Sequence, residues 1–314
     1  MATTSTKTPL ARTSRARGSA RSSNEQERFC GYLFTVPVVI INSVFIYLPL
    51  IYSLVVSLMD FNLFKGFFGS KFAGFENYID MFKDSLFWKS FSNNIIYTLV
   101  TVPILIISAL VLAEIINRAI YGMGLVRAMF FLPYIASISA MSLVWMMMYN
   151  PQDGIINGAL RALGVDNPPM WLTSEKTALI AIMIMAIWTQ LGYNIVLFIG
   201  GLQGINQDLY EAAKVDGASA VRQFFTISVP LVSPTTFFLV VTDVIASFQV
   251  FGNVQIMTSG GPNNSTSVIT YYMYEAGFGQ NKMGLASAVA WFLMIIIFVI
   301  TVIQMRGQKH WVHY

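Results

Sequence analysis

Long uncharged runs, not short amphipathic periods, dominate this chain. They cover residues 29–59, 90–113, 128–152, 177–207, 223–242 with 244–274, and 283–305. A helix needs about 20 apolar residues to cross a bilayer. The pattern therefore predicts an all-α, polytopic membrane protein with six transmembrane helices, near 31–58, 91–113, 125–149, 177–200, 229–252 and 284–305. The first run is far longer than the 7–15 apolar residues of a signal peptide and has no small-residue cleavage site after it, so it reads as a retained anchor helix. Pro37 and Pro49 within it predict kinks, which neighbouring helices can accommodate.

Composition agrees with the pattern. Of 314 residues, 55% are hydrophobic and 11% charged. A soluble chain usually carries about 25% charged residues, because it must cover its surface with polar groups. The small net charge of +4 matters less than its placement. With the N-terminal tail inside, twelve Lys and Arg fall on the inner side and seven on the outer. That bias predicts cytoplasmic N- and C-termini. It divides the chain into a basic tail over 1–28, a six-helix transmembrane domain over 29–306 and a cytoplasmic tail over 307–314. The first tail is rich in Ser, Thr, Ala and Arg and cannot bury a core, so disorder is expected, with the tail lying on the inner leaflet of the membrane. It has no interleaved aromatics and points to no nucleic acid. Cys30 cannot form an internal disulfide and reads as a small hydrophobe. The two histidines, His310 and His313, stand at the extreme C-terminus, so no His-based metal or acid–base site is expected in the interior. The methionine clusters at 146–148 and 183–185 read as packing.

One inner loop, 201–229 between the fourth and fifth spans, has helical periodicity. Asn206 is placed to cap a helix, with Asp208 in its first turn. Leu209, Ala212 and Ala213 share a face, and Gly217 is placed to close the helix in a left-handed conformation. A second amphipathic piece carries Val221, Phe224, Phe225 and Ile227 before Pro230. The expectation is a short helix–turn–helix along the inner membrane surface. Alanines would let another protein approach it, and Glu211 and Asp216 would give it fixed charges.

These residues also resemble a known signature. Glu211-Ala212-Ala213, Gly217 after three residues, Ile227 after nine more, then Pro230, is similar to the Glu-Ala-Ala motif of ABC-importer permeases, with Val229 where the family has Leu. Asp216-Gly217-Ala218 is typical of the same family. Gly260-Gly261-Pro262, Ser265-Thr266 and the stretch 274–278 resemble the outer loop before the last span in carbohydrate-type permeases. Phe34, Pro37, Pro49, Ser57 and residues 74–78 resemble their N-terminal region. The likeness covers roughly 29–305 and is to the first permease chain of maltose, multiple-sugar and glycerol-phosphate importers, without the maltose chain's extra helices and outer domain.

That resemblance implies a prokaryotic inner-membrane subunit. It implies a second, homologous permease as heterodimer partner, two ATPase subunits and an extracytoplasmic solute-binding protein. ATP and magnesium would sit on the ATPases, with no cofactor in this chain. Leu209, Glu211, Ala212, Ala213, Asp216 and Gly217 would form the coupling helix held by an ATPase. The chain has no Gly-Lys-Ser/Thr phosphate loop, so ATP hydrolysis is expected of another subunit and no catalytic residue of this one.

Sugars are held by aromatic faces and by amide, hydroxyl or carboxylate groups. Asp243 sits midway along the fifth predicted span, where a charge costs about 2.5–3.5 kcal/mol on insertion scales. It should face the bundle interior or a wet cavity, either as a sugar partner or as a structural hydrogen bond to another helix. Ser247 lies at i+4 on the same face, and Gln249, Val250 and Asn253 continue toward the outer end. By resemblance, Asp243 and Ser247 fall where maltose permeases hold sugar. Trp188, Gln190, Gly192, Tyr193 and Asn194 form a second polar–aromatic group on the fourth span. Glu114 and Asn117, near the inner end of the second, read as helix-terminal. No basic residue lies in the uncharged runs, which favours a neutral sugar, an oligosaccharide, over glycerol phosphate or another polar solute. An ion-coupled secondary transporter is a further alternative that leaves the inner loop unexplained.

Overall fold

The computed structural model describes residues 31–61, 66–67, 69–118, 123–310 and 312. The expectations for the tail over 1–28, Cys30 and His313 lie outside the described residues. Contacts divide the chain into two units, ending and beginning at Val55 and Val56.

Helix α1, Gly31–Ser57, runs through the first unit with a π turn at Ser43–Tyr47. Pro49 follows that turn by two residues. A proline cannot donate to the carbonyl four residues back, and its ring crowds that group, so the wider turn relieves the clash at Phe45. The same arrangement recurs later, where a π turn at Phe224–Ser228 precedes Pro230.

The second unit opens with a short antiparallel pair, β1 (Met59–Asp60) and β2 (Lys71–Phe72), with Met59 opposite Phe72. Helix α2 (Glu76–Lys83) follows, then the long α3 (Ser85–Arg118). The second predicted span is thus longer at both ends than the uncharged run. Glu114 stays inside it and is buried. Next come α4 (Met123–Ile135), α5 (Ile138–Met148), α6 (Ile155–Ala162) and α7 (Ala178–Gln203). Then follow α8 (Gln207–Val215), α9 (Ala220–Leu231), α10 (Ser233–Phe248), α11 (Gly252–Met257), α12 (Ile269–Tyr274) and α13 (Met283–Gly307).

Two predicted spans are corrected. The third is not one helix over 125–149: α4 and α5 meet at 98° across Ala136 and Ser137. Pro133 removes a donor from the last turn of α4, and Ser137 adopts extended backbone (φ −57°, ψ 133°) from which its carbonyl starts α5 by accepting from Met141. The fifth does not run from 229 to 252. Helices α9 and α10 bend by 66° at Val232, α10 stops at Phe248, and Asn253 stands on the separate α11. Pro234 occupies the first turn of α10, the position proline tolerates best, and Pro230 falls in the last turn of α9.

The core is carried by α3 and α7. Ala109 and Ala113 of α3 give room for Ile195, Phe198 and Ile199 of α7, all buried. Gly192 is needed at the crossing of α7 and α4, since a Cβ there would run into the Phe130 carbonyl. A second cluster joins Tyr97, Trp145, Met185 and Val254. A third packs Phe87 and Phe292 edge to face, with ring centroids 5.3 Å apart.

The first turns of α3 pin the segment between α11 and α12. Ser90 shares a hydrogen bond with Ser267 at 2.8 Å, and Asn93 donates to the carbonyls of Asn264 and Ser267. Buried Asn94 donates to the Ser247 carbonyl at 3.2 Å and accepts from the Ile269 amide at 3.4 Å. One side chain thereby joins α3, α10 and the start of α12. Outside the predicted spans, Tyr272 donates to Asp84 at 2.6 Å. Burial and the adjoining carboxylate hold that phenol above its usual range, so it remains the donor.

Candidate substrate cavity and surface helix

Helices α3, α4, α5, α7, α10 and α11 enclose a cavity of about 330 Å³. That lies within the range of small-ligand sites. Of the residues singled out around the fifth span, Asp243, Ser247, Gln249, Val250 and Asn253 line it. Helix α10 brings Asp243 and Ser247 to one face a turn apart.

Asp243 is 4% exposed. Its Oδ2 accepts from the Asn194 side-chain amide on α7 at 2.7 Å. The carboxylate thus serves as an interhelical hydrogen-bond partner and as part of the cavity wall at once. Ser247 is similarly tied: it donates to the Val244 carbonyl at 2.7 Å and lies 2.8 Å from the Thr98 hydroxyl of α3.

Of the second predicted group, Gln190 lines the cavity and the other four do not. Asn194 stands behind Asp243. Gly192 is consumed by the close approach of α4. Tyr193 stacks behind Tyr134, with centroids 4.9 Å apart and planes at 22°, and Tyr134 is the ring that lines the cavity. Trp188 is partly exposed and packs edge to face on Trp145. A helix seven turns long faces several neighbours, and sequence proximity on α7 does not select the one that lines a cavity. Conversely, Tyr97 and Thr101 of α3 line it and were not singled out. The signal was present: Asn94, Thr98 and Thr101 repeat at i, i+4 and i+7, and with Tyr97 form a polar stripe in an otherwise apolar helix.

The helix expected within 201–229 forms as its caps predict. The Asn206 side chain accepts from the Asp208 amide at 3.0 Å. At the other end Gly217 has φ +77°, its amide donates to Lys214 at 3.0 Å and the Ala218 amide donates to Ala213 at 2.8 Å. These two bonds are a complete Schellman closure. The faces of α8 are sharper than the periodicity implied. Tyr210 turns inward to Ser228 at 2.9 Å, and Ala213 is half-buried. Leu209, Glu211, Ala212 and Asp216 are exposed, and so are Val221 and Phe225 on α9.

Residues 72–310 match the sequence profile described as binding-protein-dependent transport system inner membrane component. The chain belongs to that family. Its relatives include the probable ABC transporter permease protein YurN of Bacillus subtilis (strain 168), 32% identical over 90% of this chain and 97% of that one. The sn-glycerol-3-phosphate transport system permease protein UgpA of Agrobacterium fabrum is 34% identical, over 90% and 96%. The lactose transport system permease protein LacF of Rhizobium radiobacter is 34% identical, over 89% and 94%. The fold of this permease is similar to a chain of a bacterial alginate ABC transporter, crystallised with an alginate pentasaccharide-bound periplasmic protein. The TM-score is 0.80 at 22% identity, over 91% of this chain and 96% of that one. As a family member the permease is a multi-pass membrane protein and a transport component.

Proposed function

We propose that this permease is the sugar-translocating subunit of an ABC importer, and that its substrate is a neutral sugar, an oligosaccharide. The observation that carries the reading is the chemistry of the cavity wall. It combines aromatic faces (Tyr97, Tyr134) with a carboxylate, hydroxyls and amides (Asp243, Ser247, Gln249, Asn253), and no Lys, Arg or His among the described residues lines it. That set suits a polyhydroxylated, uncharged solute. The lactose permease relative supports the substrate class.

The chain would cross the membrane six times, counting each bent helix pair as one span, with both termini inside. It would pair with a second, homologous permease, receive sugar from a binding protein outside and engage one of two ATPases inside, which would carry the ATP and magnesium. The exposed side of α8, with Leu209, Glu211 and Ala212, is the surface for that ATPase. Gly217 would set the turn and Asp216 the charge at its end.

Glycerol phosphate is a second reading, favoured by relatives named for it. A phosphate would call for a cation on the wall, and this chain supplies none there. The test is co-purification. A tagged copy isolated from its own cells should bring with it an ATPase and a second permease. Recovery of the intact chain with neither subunit would overturn the reading.

A further inference from the structure

An aromatic stripe on α2 stands exposed. Phe75, Ile79 and Phe82, at i, i+4 and i+7, share one face of that helix, and all three are exposed, Phe75 by 71%. Phe72 on β2, three residues before Phe75, is 77% exposed. The stripe is held in shape. Phe82 lies against Trp88 of α3 with ring centroids 6.1 Å apart, and the Trp88 indole N–H donates to the Phe82 carbonyl at 2.9 Å. Met81, on a different side of α2, is fully buried and fixes which way the stripe points. A further side carries Asn77, Asp80 and Lys83, which line a polar crevice of about 640 Å³ with Asp60 and Lys282. Helix α2 is therefore amphipathic with its apolar side turned outward, the reverse of a helix that packs only on its own chain's core.

What covers the stripe follows from its neighbours. Helix α2 stands between Ser57, where α1 ends, and Ser85, where α3 begins, and both of those helices are long and apolar enough to cross a membrane. Ile96, Leu99 and Ile107 follow Trp88 along one side of α3 and are exposed too. A span that keeps such an apolar side outward presents it to lipid tails. Trp88 joins the two stripes, and aromatic rings gather at the headgroup level of bilayers. Lys83, at i+4 from Ile79 and i+3 from Asp80, borders both faces of α2, where an ammonium group meets lipid phosphate.

We propose that α2 is a phospholipid anchor, lying in the membrane surface between the first two spans. Phe75, Ile79 and Phe82 enter the boundary between headgroups and acyl chains, and Asn77 and Asp80 face water. This surface is independent of the sugar reading.

The test is a nitroxide scan of the full chain, assembled with its partner subunits in vesicles of phosphatidylethanolamine and phosphatidylglycerol. Native cysteines are replaced, Cys30→Ser in this chain. Phe75→Cys, Ile79→Cys, Phe82→Cys and Asp80→Cys are then labelled one at a time. Power saturation against oxygen, which dissolves in lipid, and a nickel chelate, which stays in water, reads the depth of each label. The labels at 75, 79 and 82 should sit about 5–10 Å into the headgroup and acyl boundary and collide mainly with oxygen. The label at 80 should collide mainly with nickel. Should one variant fail to assemble, the other two on that face carry the same reading. Nickel collisions at 75, 79 and 82 as frequent as at 80 would overturn the proposal and leave the face in water. Shielding of those three labels from both reagents would overturn it as well, and would show another protein subunit covering the stripe.

Discussion

Asn194 on α7 donates to Oδ2 of Asp243 on α10 across 2.7 Å, in the buried interior of the helix bundle. Replacing the donor alone leaves a carboxylate without its partner. Asn194→Leu should lower stability by about 2 kcal/mol or more. Asn194→Leu with Asp243→Leu should recover most of that, since apolar groups at both positions strand no polar atom. Thermal unfolding of the purified permease in detergent, arranged as a double-mutant cycle, reads the coupling directly.

Asn94 gives a second stability prediction. Its amide holds both the Ser247 carbonyl and the Ile269 amide. Asn94→Ala strands two buried backbone groups and should cost about 2 kcal/mol. Because the lost bonds anchor the segment after α11, limited proteolysis should cut earlier within 258–268 than it does in wild type. An unchanged cleavage pattern would show that the segment is held by its other contacts.

The glycines of α7 separate packing from propensity. At Gly192 a Cβ would meet the backbone of α4, while at Gly200 nothing lies within 4 Å. Gly192→Ala should cost about 1–3 kcal/mol through forced displacement of α4. Gly200→Ala should be neutral or stabilising by up to about 1 kcal/mol. Equal melting temperatures for the two variants would contradict the close crossing.

These elements differ in how legible they were in the sequence. The spans at α7 and α13 follow directly from uncharged runs, and α8 follows from its caps. Such features are local, and local chemistry is readable. The bends at Ala136–Ser137 and Val232 were not read, because apolar residues continue through both and hydropathy does not register direction. Pro133, Pro230 and Pro234 were the available signals. Within the site, Asp243 and Ser247 were found because a costly acid in a span must have a use. Tyr97 and Thr101 were missed because tyrosine and threonine fit a span without visible cost. The cavity is made by helices distant in sequence, so the polar stripe of α3 carried no sign of which helix it faces.

Gly217 allows the coupling role of α8 to be tested apart from folding. A Cβ at Gly217 meets open space, so the obstacle is φ +77° and not a clash. Asn adopts this conformation far more readily than a β-branched residue. Gly217→Asn should therefore retain coupled transport, while Gly217→Val should lower sugar uptake per ATP hydrolysed by about tenfold or more, through a turn that costs about 1–2 kcal/mol. Equal ratios of uptake to hydrolysis in both variants would remove Gly217 from the coupling path.

The central claim is that this permease passes a neutral sugar under the control of ATP hydrolysis by its partners. The most direct measurement is the ATPase rate of the reconstituted complex with its binding protein, with and without sugar. Hydrolysis should rise several-fold with a neutral sugar bound to the binding protein, and Asp243→Leu should abolish transport of that sugar. A rate that responds to glycerol 3-phosphate and to no neutral sugar would contradict the account.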